Sequence, residues 1–405
     1  MKAINWVRFI ISFIFLTQAP VSYGQNLVKM ITFSDTVKDY GPVLQKAVNE
    51  IAKAGKGTIK IKYGIYPVLT QVTLEKKTGS LDIVVTGVKN AKGKLPVLKD
   101  ADSTRAPHGF FQFHGNAAKP ELTISISNIE LVGNNIPYSP SHPFFGKPTL
   151  IYSHALSGLN VRTMKVENVT IRNFYGRGIM IGNYFNRKYD RRHRAESPIV
   201  RNCKILNVWG FSRKDDAGDG VEFISAHKPV VENNVIMNNL SDSKYMGRCG
   251  VVLEHNTENA IIRNNVIGGY SRNIHVECDW GGHLIEKNKF SQSSVAVQLS
   301  EDCAQSDTLK NHFGPIIIRN NTMAYNGELL TYKIPRAKFA FVTIYKPSFM
   351  LDGLQIINNK MTIVPEASAK QAVSANARSN NEKDQKAYID VKNQAKVTIK
   401  GNSFN

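Results

Sequence analysis

Apolar positions follow one periodicity near the start of the chain and another over most of its length. Val43, Leu44, Ala47, Val48 and Ile51 recur at helical spacing. Asp39-Tyr40-Gly41-Pro42 supplies a cap and a first-turn proline, and Gly55-Lys56-Gly57 supplies a stop. One helix is therefore predicted here, followed by a strand at Thr58-Ile59-Lys60-Ile61 and a turn at Tyr63-Gly64-Ile65-Tyr66. From residue 120 onward the unit changes to a short β run, an asparagine, one residue, then a large apolar residue. It recurs as Asn234/Ile236, Asn265/Ile267, Asn288/Phe290, Asn321/Met323, Asn359/Met361 and Asn402/Phe404, in steps of 31, 23, 33, 38 and 43 residues. Cys203/Ile205 holds the same place one step earlier, and looser copies fall at Asn128 and Asn168. A period that varies only by loop insertion predicts a parallel β-solenoid, with stacked turn asparagines bonding from one coil to the next.

Each unit carries a second strand. We align Gly178–Gly182, Gly220–Ile224, Gly250–Glu254, Asn273–Glu277 and Ser294–Gln298. The second and fourth residues are apolar in all five, so the third and fifth should point outward. That outward face then carries Glu222, Glu254, His275, Glu277, Asp279 and Gln298. Glu254 and Glu277 share a position on successive coils, and Glu277 and Asp279 lie two apart on one strand. Carboxylates so close raise at least one pKa or call for a cation between them.

The helix, with Gly55-Lys56-Gly57-Thr58 and the Tyr63-Gly64-Ile65-Tyr66 turn, resembles the opening of pectin-lyase-like β-helix enzymes. There a helix caps the solenoid before a Gly-Gly-Thr strand and a Gly-x-Tyr turn. The resemblance implies an all-β fold: a right-handed parallel β-helix with an N-terminal capping α-helix. Three segments are expected: residues 1–24 as a signal peptide, 25–119 as the cap helix and first coils, and 120–405 as the β-helix. Val276-Glu277-Cys278-Asp279 resembles the Glu-x-Asp strand of iota-carrageenases. By that resemblance Glu277 would be the acid and Asp279 the base. The likeness stops at these two residues, because His275-Val276 stands where that family has Arg-Met.

Charge narrows the partner. Lys and Arg number 52 against 32 Asp and Glu, a formal net charge of +20. Such a surplus suits an acidic polymer, nucleic acid or an anionic membrane surface. Lys2 and Arg8 precede the apolar run Phe9–Leu16, and Ser22 and Gly24 stand at −3 and −1 of a cut before Gln25. This is the layout of a secretory signal. An exported protein meets acidic polysaccharide rather than nucleic acid, and no cysteine follows the cut to carry a lipid anchor. Export, no stable membrane anchor and a monomer are expected. The cysteines Cys203, Cys249, Cys278 and Cys303 allow three pairings, and Cys278 sits in a strand-like run where a buried thiol is an equal reading.

Basic residues flank the acidic face. Arg187, Arg191, Arg192 and Arg194 cluster in one loop, Arg213 and Lys214 precede the Glu222 strand, and Arg248 precedes the Glu254 strand. With Arg272 and Gln298 they form the expected substrate-binding set, since guanidinium groups grip carboxylate or sulfate. Tyr184, Trp209, Trp280 and Tyr345 could stack on sugar rings or pack. The first reading is a glycoside hydrolase without cofactor, with Glu277, Asp279, Glu254, His275 and Glu222 as catalytic candidates. In it Glu254 raises the pKa of Glu277, which becomes the proton donor. The second is a polysaccharide lyase, with Glu254, Asn256, Glu277 and Asp279 holding Ca²⁺ and Arg248 or Arg272 as base. The third is a non-catalytic binding solenoid, which would show no convergent charge on its face.

Overall fold

The computed structural model describes residues 26–100, 108–134, 141–144, 153–183, 193–211, 216–239, 247–293, 295–300, 314–326, 340–345, 353–364, 389–390 and 397–404. The helix, α1, spans Gly41–Ala54. One Asp39 carboxylate oxygen accepts the Gly41 and Leu69 N–H groups, each at 2.8 Å, and so ties the helix start to the first coil. Gly55 ends the helix at φ 78°, donating its N–H to the Ile51 carbonyl. Leu44, Ala47, Val48 and Ile51 are buried, whereas Val43 is exposed. Val43 lies about 100° around the helix from Leu44, off the inward stripe.

The strands form three long parallel sheets, each coil adding one strand to each. Among the described residues, sheet A has twelve strands, from Leu27–Ile31 to Thr398–Lys400. Sheet B runs from Ile65–Pro67 to Ser403–Phe404, and sheet C has ten strands among the described residues, from Val72–Glu75 to Ile389–Asp390. The one antiparallel pairing among the described residues is a short branch, Gly210 with Ala217 and Phe211 with Asp216. The strand Leu27–Ile31, unread in the sequence, pairs ahead of Lys56–Ile61 at the sheet A edge, and α1 packs across this end. The coils begin near residue 56, so the asparagine repeat after residue 120 is the legible part of a longer stack.

Columns of apolar side chains fill the bore. Ile179, Val221, Val251, Ile274, Val297, Val342 and Ile389 stack inward from sheet C, all without solvent exposure. The apolar partners of the asparagine repeat, from Ile236 to Met361, make the matching column in sheet B.

The predicted turn asparagines form one ladder between sheets A and B. Asn234, Asn265, Asn288, Asn321 and Asn359 each donate backbone and side-chain N–H to the carboxamide oxygen one coil further on, at 2.9–3.0 Å. Each also donates to a carbonyl one coil back, as Asn288 does to Ile262 at 2.9 Å. Buried amides of this kind are tolerated only when satisfied, and the repeat satisfies them. Cys203 heads the ladder, its N–H bonded to Asn234 at 2.8 Å. The residue before each ladder position has positive φ, usually an asparagine, such as Asn233 at 58° and Asn264 at 57°. A second column, unread in the sequence, lies outside sheet A: Glu167, Arg201, Glu232, Arg263, Glu286 and Arg319 alternate in register. Glu232 pairs with both Arg201 at 2.6 Å and Arg263 at 2.7 Å. Cys278 is disulfide-bonded, while Cys203 and Cys249 are free and buried. Cys303 lies outside the described residues.

Candidate active site on the outer face of sheet C

The outer face of sheet C assembles from a tight corner. Gly178, Gly220 and Gly250 stack where sheet B passes into sheet C. A Cβ on Gly178 or Gly220 would meet the carbonyl of the next glycine at 2.4 or 2.6 Å, so no side chain fits there. Arg177 and Asp219, each just before its glycine, are thereby placed beside the first outward residues of sheet C. Arg177 grips both oxygens of Glu222, at 2.8 and 2.6 Å, and lies 3.3 Å from Asp219. Arg248 forks onto the two oxygens of Asp219 at 2.9 and 2.7 Å. Two buried cations thus neutralise two buried anions. His154 stands 3.7 Å from Glu222 on the other side.

Glu254 adds a third carboxylate to this cluster with no cation of its own. Its nearest guanidinium, Arg248, is 3.5 Å away and already committed to Asp219. Burial, then the Glu222 charge, push Glu254 up to about 8, with Glu277 and Asp219 adding to the rise and Arg248 opposing it. Glu222, also buried, is held down at about 2, chiefly by Arg177 against its desolvation. Glu254 is therefore protonated at neutral pH and Glu222 ionised. The register places Glu254 directly beside Glu277, as the sequence alignment expected. The Glu277 side chain is 28 % exposed against 12 % for Glu254, so the pair opens to solvent on the Glu277 side.

The assignment of proton donor shifts in consequence. The sequence reading made Glu277 the carboxyl raised by its neighbour; the structure raises Glu254 instead, because Glu254 lies deeper and next to the ionised Glu222. Asp279 leaves the face altogether. The strand ends at Glu277, Cys278 turns the chain at φ 54°, and the Asp279 carboxylate is buried against His283 while accepting the Gly281 N–H at 2.9 Å. His283 Nδ1 accepts the Ala260 N–H at 3.0 Å, so its Nε2–H is the donor to Asp279. Asp279 is a turn residue, and the two-apart carboxylate pair does not exist.

Other expectations separate in the same way. Arg194 is no rim residue: it is 6 % exposed, bonded to the Asn256 carbonyl at 2.9 Å and Glu258 at 2.6 Å, and lies over the Trp280 ring. Trp209 and Trp280 are buried and pack. Asn256 is a buried turn residue at φ 63°, so with Asp279 turned away the proposed calcium set does not converge. Arg248 is raised well above the usual guanidinium range, chiefly by Asp219 against its burial, and cannot serve as base. Arg272 donates to Gln298 at 3.0 Å. Gln298 pairs with His275, not with Glu277 as aligned, and the strand aligned as Ser294–Gln298 stands in register as 296–300. The slip of two residues kept the correct face. Arg187, Arg191, Arg192, Arg213, Lys214 and Tyr184 lie outside the described residues. The sequence reading missed Arg177 and His154 and did not use Asp219. The glycines at 178, 220 and 250 were the available signal for the first and last of these. A surface recess of about 430 Å³ on sheet B, lined by Val266, Lys289, Thr322 and Lys360 among others, is a separate feature without a carboxylate.

Residues 151–313 match the family model described as a right handed beta helix region. That segment spans the whole carboxylate cluster, and the hand is the one that twisted strands favour in parallel crossovers. The chain is a right-handed parallel β-helix. No curated protein matches it. Among solved structures, XylC in complex with xylose is 11 % identical, with 93 % of this chain and 84 % of that one covered and a TM-score of 0.48. DFA-IIIase from Arthrobacter chlorophenolicus A6 with DFA-III is 11 % identical over 92 % of each chain, at a TM-score of 0.47. A tailspike protein of the E. coli bacteriophage HK620 is 14 % identical, over 82 % of this chain and 60 % of that one, at 0.49. At such identities the likeness concerns fold alone.

Proposed function

We propose that the protein is an exported glycoside hydrolase acting on an acidic polysaccharide, with Glu254 as proton donor and Glu277 as base or nucleophile. The observation that carries the reading is the pairing of a buried carboxyl, raised to about 8, with a more open carboxylate at the same position one coil on. Two carboxyls whose surroundings set their protonation apart are what glycosidic cleavage needs: one protonates the leaving oxygen, the other attacks the sugar or activates water. The surplus of +20 supports an anionic substrate, and the leader-like start supports export.

The test is a panel of uronate-containing and sulfated polymers, followed at once by reducing-end release and by absorbance near 235 nm. New reducing ends without the absorbance support hydrolysis. Absorbance would mean elimination and overturn it. Glu254→Gln and Glu277→Gln should each lower turnover by about 10²–10⁴-fold, the usual worth of a general acid or base. Unchanged turnover in either variant would overturn that residue's role.

A further inference from the structure

We infer that His275 is a positioning residue for Glu277: Gln298 and Ser300 hold its ring as the Nδ1–H tautomer, and that N–H orients the Glu277 carboxylate. The inference rests on the proposed roles of Glu254 and Glu277.

Arg272 donates its Nε–H to Gln298 Oε1 at 3.0 Å. Arginine has no acceptor, so the Gln298 atom facing it must be oxygen and the amide cannot be reversed. The Gln298 NH₂ group therefore faces His275 Nε2, 3.3 Å away. An NH₂ group only donates, so Nε2 must accept. Ser300 Oγ lies 2.7 Å from the same nitrogen and, facing an acceptor, donates its hydroxyl proton. With Nε2 bare, the ring proton sits on Nδ1. Nδ1 points at Glu277 Oε2, 3.5 Å away. That separation is just beyond hydrogen-bond range, and such bonds tighten when substrate arrives. Glu277, at 28 % exposure, has room to close it.

The surroundings keep the ring neutral. His275 is 4 % exposed, and its paired neighbour on the preceding coil is the uncharged Val252. Gln298 and Ser300 on the following coil are also uncharged. Burial, then the Arg272 and Arg248 charges, hold His275 well below the usual imidazole range. Among the described residues the anion facing the ring is Glu277 itself. Serine, histidine and carboxylate in this order also resemble a nucleophile triad, but Ser300 is 3 % exposed, and we assign it the donor's part.

The test uses the full protein labelled with ¹⁵N in its histidine rings. Long-range proton–nitrogen correlation should show His275, identified by its loss in His275→Asn, as the Nδ1–H tautomer with no titration between pH 5 and 8. A second measurement follows the Glu277 carboxyl by ¹³C. His275→Leu should shift its resonance at constant pH, as loss of a hydrogen bond to a charged group does. His275→Asn, whose Nδ2–H falls near the same point, should restore it. An Nε2–H tautomer, a titrating ring, or an unmoved Glu277 carboxyl resonance would overturn the inference. Labelling of Ser300 by a fluorophosphonate would overturn it in favour of a nucleophile. Should the NMR results hold while no polymer is cleaved, the functional reading fails and the positioning role stands.

Discussion

Replacing Glu254 with glutamine should make the protein more stable at alkaline pH while removing its activity. Glu254 moves from 4.5 to about 8 on folding. Between those values the folded state keeps a proton that the unfolded chain has released, so stability falls as pH rises through this window. Each unit is worth ~1.4 kcal/mol, which gives roughly 3 kcal/mol lost by pH 7 and roughly 5 kcal/mol by pH 8 and above. The glutamine variant has no proton to release and does not suffer this loss. Glu222, lowered to about 2, has the opposite sign: its contribution is full above about 4.5 and disappears as pH falls toward 2. It is retained in both proteins and leaves their difference above pH 5 unchanged. The assay is the urea midpoint of each protein from pH 4.5 to 9. The two should lie close together near pH 4.5 and diverge steadily, with the variant higher. Parallel profiles would refute the reasoning, as they would show that Glu254 takes up no proton on folding. A variant less stable than wild type at pH 8 would do so more strongly.

The remaining expectations concern the frame around this pair. Arg177→Met leaves Glu222 and Asp219 short of a cation in a buried cluster and should cost about 3–5 kcal/mol, read as a lower urea midpoint or lost soluble yield; wild-type stability would show that the cluster is hydrated. Asn288→Ala cuts the turn ladder on both sides, orphaning donors of Asn265 and the acceptor at Ile262. A loss of about 2–4 kcal/mol is expected, with hydrogen exchange speeding up at Asn265 and staying unchanged in α1. Asp279→Asn keeps an acceptor for His283 and should leave turnover within about twofold; a fall of orders of magnitude would return Asp279 to the chemistry.

The repeat was legible because it is one-dimensional. Every coil must place an asparagine at the same turn and an apolar residue two positions on, so Asn234 to Asn402 declared both the stacking and its phase. Strand alternation likewise gave the correct face for Glu222, Glu254, His275 and Glu277, and even the slipped alignment of Gln298 kept that face, since a shift of two preserves it. Alternation failed at Asp279 because it assumes that the strand continues. A left-handed residue at Cys278 ends it, and a β-like sequence does not announce where one coil turns into the next.

The sequence by itself determined the solenoid, its capped start, and the adjacency of Glu254 and Glu277, since each follows from a period written along the chain. Only the tertiary structure decided which carboxyl keeps its proton. That depends on Arg177, Asp219 and Arg248, which meet across successive coils at a corner that glycine alone can occupy. The two arginines cancel Asp219 and Glu222 and leave Glu254 little exposed, with only the already committed Arg248 3.5 Å away. Protonation is set by distance and burial, and neither is periodic.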